Sequence, residues 1–261
     1  MTILDKIIAR KREEVAEAKQ QTTLSQLEGM PLFGRECFDL RASVLDPSKT
    51  RIIAEFKRAS PSKGVINGLA PVGKTVAGYQ AAGASAVSVL TDPDFFQGSL
   101  ADLEEARAAL SIPLLRKEFI VDRFQIAEAK AYGADIILLI AACLSAGDIL
   151  DLSGYAKSLG LSVLLEVHDG EELAKSLVDT VDAIGVNNRN LKDFTVNIEQ
   201  SKALVERIPD RYIKVAESGI SNPLTVSELR GAGFQGFLIG ENFMKTDNPA
   251  AAMQDFVNAL G

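Results

Sequence analysis

Three charged side chains stand at the ends of short apolar runs in this sequence, where an unpaired charge costs free energy. Lys57, Lys117 and Glu166 each follow such a run, and Glu55 lies two residues before Lys57. Any one of them is consistent with a structural ion pair or a solvent-exposed strand end. Lysine and glutamate are also side chains that donate and accept protons in enzymes. The recurrence of the pattern therefore predicts a functional site that these residues share.

Two glycine turns near the C-terminal end of the chain are suited to binding an anion. Gly219 follows Ser218, and Gly240 precedes Glu241. Because glycine has no side chain, the backbone N–H groups of such turns can come close to a phosphate. Ser60, which lies after the first apolar run in an otherwise flexible loop, adds a hydroxyl donor. Ordinary turns would explain each glycine separately, but their joint position predicts a phosphate site.

The elements that must position these residues alternate, from residue 51 onward, between short apolar runs and longer helical patterns. Eight apolar runs predict strands at 51–57, 86–91, 113–117, 135–141, 162–167, 183–187, 213–217 and 236–240. Helical spacing is clear at 125–132, 148–159, 171–177 and 197–205. Eight such units predict an α/β fold, a closed (β/α)₈ TIM barrel whose active site lies at the C-terminal strand ends. No Gly-x-Gly-x-x-Gly follows the first strand, which argues against a dinucleotide-binding sheet.

We expect one domain over residues 1–261, with the barrel at 51–261 and an N-terminal helical extension at 1–50. Leu4, Ile7, Ile8, Val15 and Ala18 mark one apolar face of the first helix. Shorter helices are predicted at 24–27 and 39–45. The apolar face predicts packing on the barrel, and a solvated or dimerising helix is the alternative. Because the predicted strands all follow it, deletion of residues 1–45 is expected to leave a folded chain that binds substrate more weakly.

Composition excludes several classes of protein. With 47% hydrophobic residues and a net charge of −7, the chain is globular and a poor candidate for binding nucleic acid. The longest strongly apolar run, 136–144, is much shorter than the roughly 20 residues of a membrane helix. Cys37, Cys143 and the single histidine, His168, predict no metal site, and His168 is expected to be an ordinary loop residue. We expect a cytoplasmic protein.

Longer stretches around these residues resemble one family, indole-3-glycerol-phosphate synthase of tryptophan biosynthesis. They include IAEFKRASPSKG at 53–64, PLLRKEFI at 113–120, GVNNRNL at 185–191 and AESGI at 216–220. Further matches at 4–14, 89–92, 96–99, 165–167 and 237–240 extend the resemblance over nearly the whole chain. It implies a carboxy-lyase that closes a pyrrole ring in 1-(2-carboxyphenylamino)-1-deoxyribulose 5-phosphate, with loss of carbon dioxide and water. It also implies that neither a cofactor nor a metal is needed.

The resemblance implies a role for each catalytic candidate. Lys117 is expected to be the general acid that protonates the ketose oxygen, with a pKa lowered by neighbouring cations and partial burial. Lys57 is expected to bind the substrate carboxylate and is a second candidate acid for the dehydration. Glu166 is expected to be the acid–base group of the later steps. Glu55 and Asn187 are expected to orient the lysines and the substrate hydroxyls.

The contacts with the substrate follow from the same resemblance. Ser218 is expected to line the site, and Arg189 to bind the substrate. The predicted phosphate cradle consists of Ser60, Gly219, Gly240 and the backbone N–H of Glu241. The predicted apolar wall around the anthranilate ring consists of Pro61, Phe96, Phe119 and Leu191.

Two positions depart from the family pattern. Glu118 stands where the family usually has aspartate after the lysine, so an acidic group that tunes Lys117 would be one methylene longer. Glu241 and Asn242 stand where the family often has serine near the phosphate. A backbone contact with the phosphate tolerates this change, whereas a contact through a serine side chain would be lost.

Two other interpretations stay open from the sequence. One is a different phosphate-binding barrel enzyme, an aldolase in which Lys117 forms a Schiff base. The other is a non-catalytic barrel that serves as a partner subunit, which would not need Lys57, Lys117 and Glu166 together. The expected partner is a small phosphorylated substrate rather than nucleic acid or a membrane. Association with other tryptophan-pathway enzymes is left open.

Overall fold

Eight parallel strands form a closed barrel in the computed structural model, which describes residues 2–189 and 195–260. The strands are β1 (Ile52–Phe56), β2 (Ala86–Leu90), β3 (Leu114–Lys117), β4 (Ile136–Ile140), β5 (Ser162–Val167), β6 (Ala183–Asn187), β7 (Ile213–Glu217) and β8 (Gly236–Ile239). Each strand pairs with the strands before and after it in the chain, and β1 pairs with both β2 and β8. The predicted (β/α)₈ barrel is confirmed, and each predicted strand agrees with the observed one to within a residue at either end.

Helices surround the barrel and precede it. They are α1 (Ile3–Gln21), α2 (Leu24–Glu28), α3 (Leu40–Leu45), α4 (Val72–Ala81), α5 (Pro93–Phe96), α6 (Leu100–Ala109), α7 (Arg123–Ala131), α8 (Ala146–Ser158), α9 (Gly170–Ser176), α10 (Ile198–Val205), α11 (Pro223–Gly231), α12 (Glu241–Met244) and α13 (Pro249–Asn258). Capping boxes at Thr2, Asp122 and Ser145 begin α1, α7 and α8, because these side chains accept backbone N–H bonds of the first turn. No helix in the described part of the chain is long and apolar enough to cross a membrane.

Successive side chains along each strand point alternately into the barrel and outward to the helices. Ile53, Leu164 and Val215 belong to the apolar cluster that fills the interior. Two residues further along the same strands stand Glu55, Glu166 and Glu217, at the C-terminal ends. The outward-facing strand residues pack against the helices in a second, larger apolar cluster. The interior of the barrel is therefore apolar along most of the strands and charged at their C-terminal ends.

Helix α3 closes the opposite end of the barrel. Leu40 and Val44 are almost completely buried and belong to the same apolar cluster as the strand residues of the interior. Deletion of residues 1–45 would remove both side chains and expose that end of the core to water. The structure therefore disagrees with the expectation that the barrel is independent of this whole segment, because apolar contacts of α3 are part of its core.

Helix α1 is held on the barrel by a buried ion cluster as well as by its apolar face. The Lys11 ammonium lies 2.6 Å from Glu14, 2.9 Å from Asp92 and 3.0 Å from Glu118. Asp92 begins α5 and Glu118 follows β3, so one cation joins three elements. Burial disfavours the charged form of Lys11, but Glu118 and Asp92 outweigh burial and raise its pKa. The helix therefore packs on the barrel, as its apolar face predicted.

The Lys11 cluster gives a test of how the extension is held. Lys11→Met keeps the length of the side chain but leaves Asp92 and Glu118 buried without this partner. Removing one member of a buried ion pair is strongly destabilising, so we expect the free energy of unfolding to fall by about 3 kcal/mol. Urea denaturation monitored by circular dichroism measures this change.

Lys19 on the same helix provides the matched control. Its ammonium lies 2.6 Å from Asp122, but the pair is largely exposed to solvent. Because exposed ion pairs contribute little, Lys19→Met should leave the denaturation midpoint nearly unchanged. Equal midpoints for the two variants would contradict the assigned role of Lys11.

Candidate active site

A cavity of about 340 Å³ opens at the C-terminal ends of the barrel strands. Its size is typical of a pocket for a small molecule. The described site residues expected from the sequence all line it: Glu55, Lys57, Ser60, Pro61, Phe96, Lys117, Phe119, Glu166, Asn187, Arg189, Ser218, Gly219, Gly240 and Glu241. Leu191, expected in the apolar wall, lies outside the described residues. The sequence prediction thus converges on one cavity.

Lys117 stands at the centre of the charged groups in this cavity. Its ammonium donates a hydrogen bond to Glu166 Oε2 at 3.1 Å and lies 3.5 Å from Glu217 Oε2. The side chains of Glu166 and Glu217 are 5% and 2% exposed, so both carboxyl groups are nearly removed from water. Asn187 completes the arrangement by donating its amide to Glu166 Oε1 at 3.0 Å.

The pKa of Lys117 is raised, so the expectation of a lowered pKa is wrong. Burial disfavours the ammonium, but the negative charges of Glu166, Glu217 and Glu55 outweigh burial. The sequence prediction assumed that neighbouring cations would dominate, whereas the nearest charged groups are carboxylates. Lys117 therefore carries its proton throughout the neutral pH range.

The same surroundings shift the pKa values of Glu166 and Glu217 in opposite directions. Burial disfavours the carboxylate of Glu166, but Lys117, His168 and the amide of Asn187 outweigh burial and lower its pKa. Burial raises the pKa of Glu217, and the charges of Glu166 and Glu55 add to the effect of burial despite the opposing Lys117. Of this pair, Glu166 therefore loses its proton first, and Glu217 keeps its proton to higher pH.

Glu217 is the residue that the sequence prediction left unassigned. The sequence pattern that identified Glu166, a charged residue at the end of an apolar run, is also present at Glu217. Gly185 on the neighbouring strand makes room for it: a Cβ atom there would lie 2.0 Å from Glu217 Oε1. The register of β6 and β7 also pairs Asn187 with Glu217.

Lys57 and Glu55 form a second ion pair at the mouth. The Lys57 ammonium lies 2.8 Å from Glu55 Oε1. A Cβ atom at Gly240 would lie 2.5 Å from that same oxygen, so only glycine leaves Glu55 in place. The requirement for glycine at the end of β8 thus arises from the close approach of β1.

Glu118 points away from the neighbouring Lys117. Its carboxylate binds the Lys11 ammonium and accepts hydrogen bonds from the Thr91 hydroxyl at 2.8 Å and the Phe119 backbone N–H at 2.8 Å. Alternation along β3 explains the separation, because consecutive side chains face opposite sides. Glu118 therefore anchors α1, and its extra methylene is taken up in that contact.

The turns that follow β7 and β8 form one end of the cavity. Ser218 and Gly219 both have left-handed backbone conformations, with φ of 67° and 70°, which is uncommon for serine. The amide of Asn188 stabilises this turn by donating to the Ser218 carbonyl at 2.8 Å. A short helix, α12, follows β8 and has Gly240 at its N-terminal end.

Ser60 and Glu241 lie at the same end. Ser60 belongs to a small antiparallel hairpin, Ala59–Ser60 with Gly64–Val65, where the sequence predicted a flexible loop. The Glu241 carboxylate is 3.5 Å from the Arg189 guanidinium and 3.7 Å from the Lys63 ammonium. Its side chain is thus paired with cations and leaves the backbone of α12 as the group available to an anion.

Aromatic and aliphatic side chains form an apolar part of the cavity wall. The rings of Phe96 and Phe119 are 5.9 Å apart at a tilt of 38°. Ile3, Leu4 and Ile7 of α1 also line the cavity. The N-terminal extension therefore contributes directly to the pocket, which the periodicity of α1 alone did not indicate.

His168 is not the exposed loop residue that the sequence suggested. Its side chain is only 14% exposed, and Nε2 lies 3.4 Å from Glu166 Oε1. The other ring nitrogen, Nδ1, lies 3.2 Å from Glu172 Oε2 at the start of α9. The imidazole thus lies between two carboxylates, one of which belongs to the catalytic cavity.

These features define an enzyme of the phosphate-binding (β/α)₈ barrel class that acts on a small phosphorylated substrate. The sequence pattern of one family, indole-3-glycerol phosphate synthase, matches residues 4–256. The indole-3-glycerol phosphate synthase of Bacteroides thetaiotaomicron is 48% identical over 259 residues, which are 99% of this chain and 98% of that protein. The chain belongs to the indole-3-glycerol phosphate synthase family.

Solved structures of lower sequence identity show the same fold. The 3-hexulose-6-phosphate synthase of Salmonella typhimurium aligns with a TM-score of 0.64 at 12% identity, over 81% of this chain and 98% of that one. A structure described as native KDPGal aligns with a TM-score of 0.58 at 16% identity, over 81% of this chain and 93% of that one. At these identities the similarity concerns the barrel architecture alone.

The space left by Gly185 allows a test of the charge arrangement. In Gly185→Ala the new methyl group would displace the Glu217 carboxyl group from Lys117 and Glu166. We expect kcat to fall by more than about tenfold, equivalent to about 1.4 kcal/mol in the activation barrier, while the chain stays folded. Steady-state kinetics together with thermal denaturation measures both quantities.

Gly154 in α8 is a suitable control. Apart from its chain neighbours and the backbone of its own helix, no atom of the described residues lies within 4 Å of a Cβ built there. Gly154→Ala should keep wild-type kcat and stabilise the helix by about 0.5–1 kcal/mol. Wild-type kcat in the Gly185 variant would show that the position of Glu217 is unimportant.

Proposed function

We propose that this chain converts 1-(2-carboxyphenylamino)-1-deoxyribulose 5-phosphate into indole-3-glycerol phosphate, carbon dioxide and water. The observation that carries the proposal is the Lys117 ammonium held 3.1 Å from Glu166 and 3.5 Å from Glu217 in the mouth of the barrel. This arrangement keeps a proton donor next to a carboxylate that can accept a proton. Family membership supports the choice of substrate.

The substrate fits the two ends of the cavity by its chemistry. Its phosphate would bind to backbone N–H groups of the turns at Gly219 and Gly240, helped by the Ser60 hydroxyl. Its aromatic ring would pack between Phe96 and Phe119. The cations at this mouth offset the negative charge that the substrate brings into a protein of net charge −7.

Ring closure would use Lys117 as the general acid. The aromatic carbon that bears the carboxylate attacks the ketone carbon, and the ketone oxygen takes the proton from the ammonium. Because the pKa of Lys117 is raised, the proton is present at neutral pH. Proton donation by a positioned acid contributes typically 10²–10⁴-fold to the rate. Lys57 would hold the substrate carboxylate meanwhile.

Decarboxylation and dehydration would follow while the substrate stays bound in the same position. The bond to the carboxylate carbon breaks, and its electron pair restores the ring. The hydroxyl group then leaves as water with a proton from a lysine, for which Lys57 is the candidate. Glu166 takes the carbon-bound proton, because its lowered pKa keeps it ionised. Asn187 and Glu55 would keep Glu166 and Lys57 oriented.

A Schiff-base mechanism at Lys117 is disfavoured by the same surroundings. Nucleophilic attack needs a neutral amine, and carbonyl-reactive lysines are activated by a lowered pKa. The carboxylates around Lys117 raise its pKa instead.

The chain is further proposed to work in the cytoplasm, which agrees with its free cysteines, Cys37 and Cys143. Association with other tryptophan-pathway enzymes stays a prediction.

The roles of the two lysines can be separated by kinetics. Lys117→Ala should lower kcat by roughly 10²-fold or more, because the lost interaction acts in the transition state. Lys57→Ala should mainly raise KM, because the substrate carboxylate is bound already in the ground state. The fluorescence of the indole ring in the product, indole-3-glycerol phosphate, measures both kcat and KM. If Lys117→Ala turned over normally while Lys57→Ala was inactive, the acid would be assigned to the wrong strand.

The phosphate end of the cavity is tested with the dephosphorylated substrate. Without the phosphate, the contacts at Gly219 and Gly240 are lost, so kcat/KM should fall by more than about 10²-fold, or 2.7 kcal/mol. Inorganic phosphate should compete with the natural substrate. Equal kcat/KM for both compounds would rule out a phosphate site here.

A further inference from the structure

The turn after β7 has a backbone conformation that needs support from other parts of the chain. Ser218 and Gly219 follow one another with φ of 67° and 70°, both in the left-handed region. Serine rarely adopts this region, because its Cβ atom crowds the backbone there. Such strain persists only where neighbouring contacts hold it. The contacts that hold this turn come from residues between β6 and α10.

Asn188 makes the polar contact with the turn. Its side-chain amide donates to the Ser218 carbonyl at 2.8 Å, and its backbone N–H donates to the Glu217 carbonyl at 2.8 Å. Asn188 is only 4% exposed, and its Oδ1 atom is buried with no hydrogen-bond partner in the described part of the chain. An unpartnered buried oxygen costs free energy that an apolar side chain would avoid. The position therefore requires the amide donor of asparagine.

Val196 makes the apolar contact with the turn. A Cβ atom built at Gly219 would lie 2.4 Å from Val196 Cγ1 and 3.2 Å from Val196 Cγ2. The valine side chain thus occupies the space beside the glycine. Val196 and Asn188 are also held together, because the Asn197 backbone N–H donates to the Asn188 carbonyl at 2.9 Å and Arg189 pairs with Val196 in an antiparallel bridge. The two residues therefore form one support for the turn.

The turn faces the cavity, whereas its support does not. Residues 218–221 all line the cavity, but Asn188 and Val196 are not among the described residues that do so. The backbone N–H groups of residues 219–221 have no backbone acceptor within the described ranges, 2–189 and 195–260. Free N–H groups of consecutive residues in a turn are suited to binding an anion. In the proposed function this anion is the phosphate of the substrate.

We propose that Asn188 and Val196 are positioning residues for phosphate binding, which hold the turn at Ser218 and Gly219 in its bound conformation before the substrate arrives. This inference rests on the proposed function for the identity of the anion. Donors that are fixed in advance bind more tightly, because ordering them during binding would cost free energy. Since neither side chain lines the cavity, the effect of replacing either is confined to the phosphate contacts.

The test compares the phosphorylated substrate with its dephosphorylated form. Asn188→Ala removes the amide donor without a change of charge, and Asn188→Asp keeps the shape but turns a carboxylate oxygen toward the Ser218 carbonyl. In both variants, KM for the phosphorylated substrate and Ki for inorganic phosphate should rise about tenfold, the scale of one lost hydrogen bond. The value of kcat should stay near that of the wild type, and kcat/KM for the dephosphorylated compound should not change.

Val196→Ala tests the apolar half of the support. It removes the two methyl groups that contact Gly219, so KM and Ki should rise in the same way but by a smaller factor, about threefold. The dephosphorylated compound should again be unaffected. Thermal denaturation checks that each variant is folded.

Asn222→Asp is the matched control for the charge that Asn188→Asp adds. Asn222 follows closely after the turn and is exposed, and its Oδ1 atom caps α11 by accepting the Leu224 backbone N–H at 2.9 Å. Aspartate keeps that acceptor, and an exposed charge is screened by salt. This variant should therefore keep wild-type KM and Ki.

Unchanged KM and Ki in both Asn188 variants would overturn the role of Asn188, and unchanged values in Val196→Ala would overturn that of Val196. An equal fall in kcat/KM for both compounds would also overturn the inference, because it would assign these residues to the support of the whole rim. If the wild-type chain formed no indole-3-glycerol phosphate, the proposed function would fail instead. Calorimetric titration with inorganic phosphate would then decide the inference separately, by whether the wild type binds it about tenfold more tightly than the Asn188 variants.

Discussion

The buried ammonium of Lys117 between the carboxyl groups of Glu166 and Glu217 is the interaction on which the open mouth of the barrel depends. Each of these groups would be unfavourable there alone, because a buried charge without a partner is strongly destabilising. Barrel closure brings the three strands to a common rim, and Gly185 leaves the space that Glu217 fills. The raised pKa of Glu217 favours a proton there, which reduces the repulsion between neighbouring carboxyl groups. Stability and chemistry at this rim therefore have the same physical origin.

A second buried cation links the extension to this rim. Lys11 of α1 binds Glu118, and Glu118 directly follows Lys117 in the chain. Because consecutive residues of an extended chain face opposite sides, Lys117 at the end of β3 faces the cavity and the next residue anchors α1. The apolar residues of α1 then line the pocket. The placement of α1 and that of Lys117 are thus coupled through one short strand.

The lining of the cavity has an apolar region and a polar region. In the proposed function, the aromatic pair Phe96 and Phe119 would provide contact area for a ring, and the turns at Gly219 and Gly240 would provide backbone donors for an anion. The charged groups Lys117, Glu166 and Glu217 line the same cavity. This combination of groups agrees with the proposed substrate, which has an aromatic ring and a phosphate.

The sequence by itself determined the eight strands, the barrel and the side of each strand that carries charge, because apolar runs and their alternation are local properties. It also indicated about half of the described residues that line the cavity, since parallel strands of a barrel end at one rim. Only the tertiary structure decided which charges meet. Glu217, rather than a second cation, lies beside Lys117 and raises its pKa; Glu118 faces Lys11; and His168 lies against Glu166. These contacts join residues of different strands and helices, and their distances depend on strand register and on the packing of helices against the barrel, which no local pattern encodes.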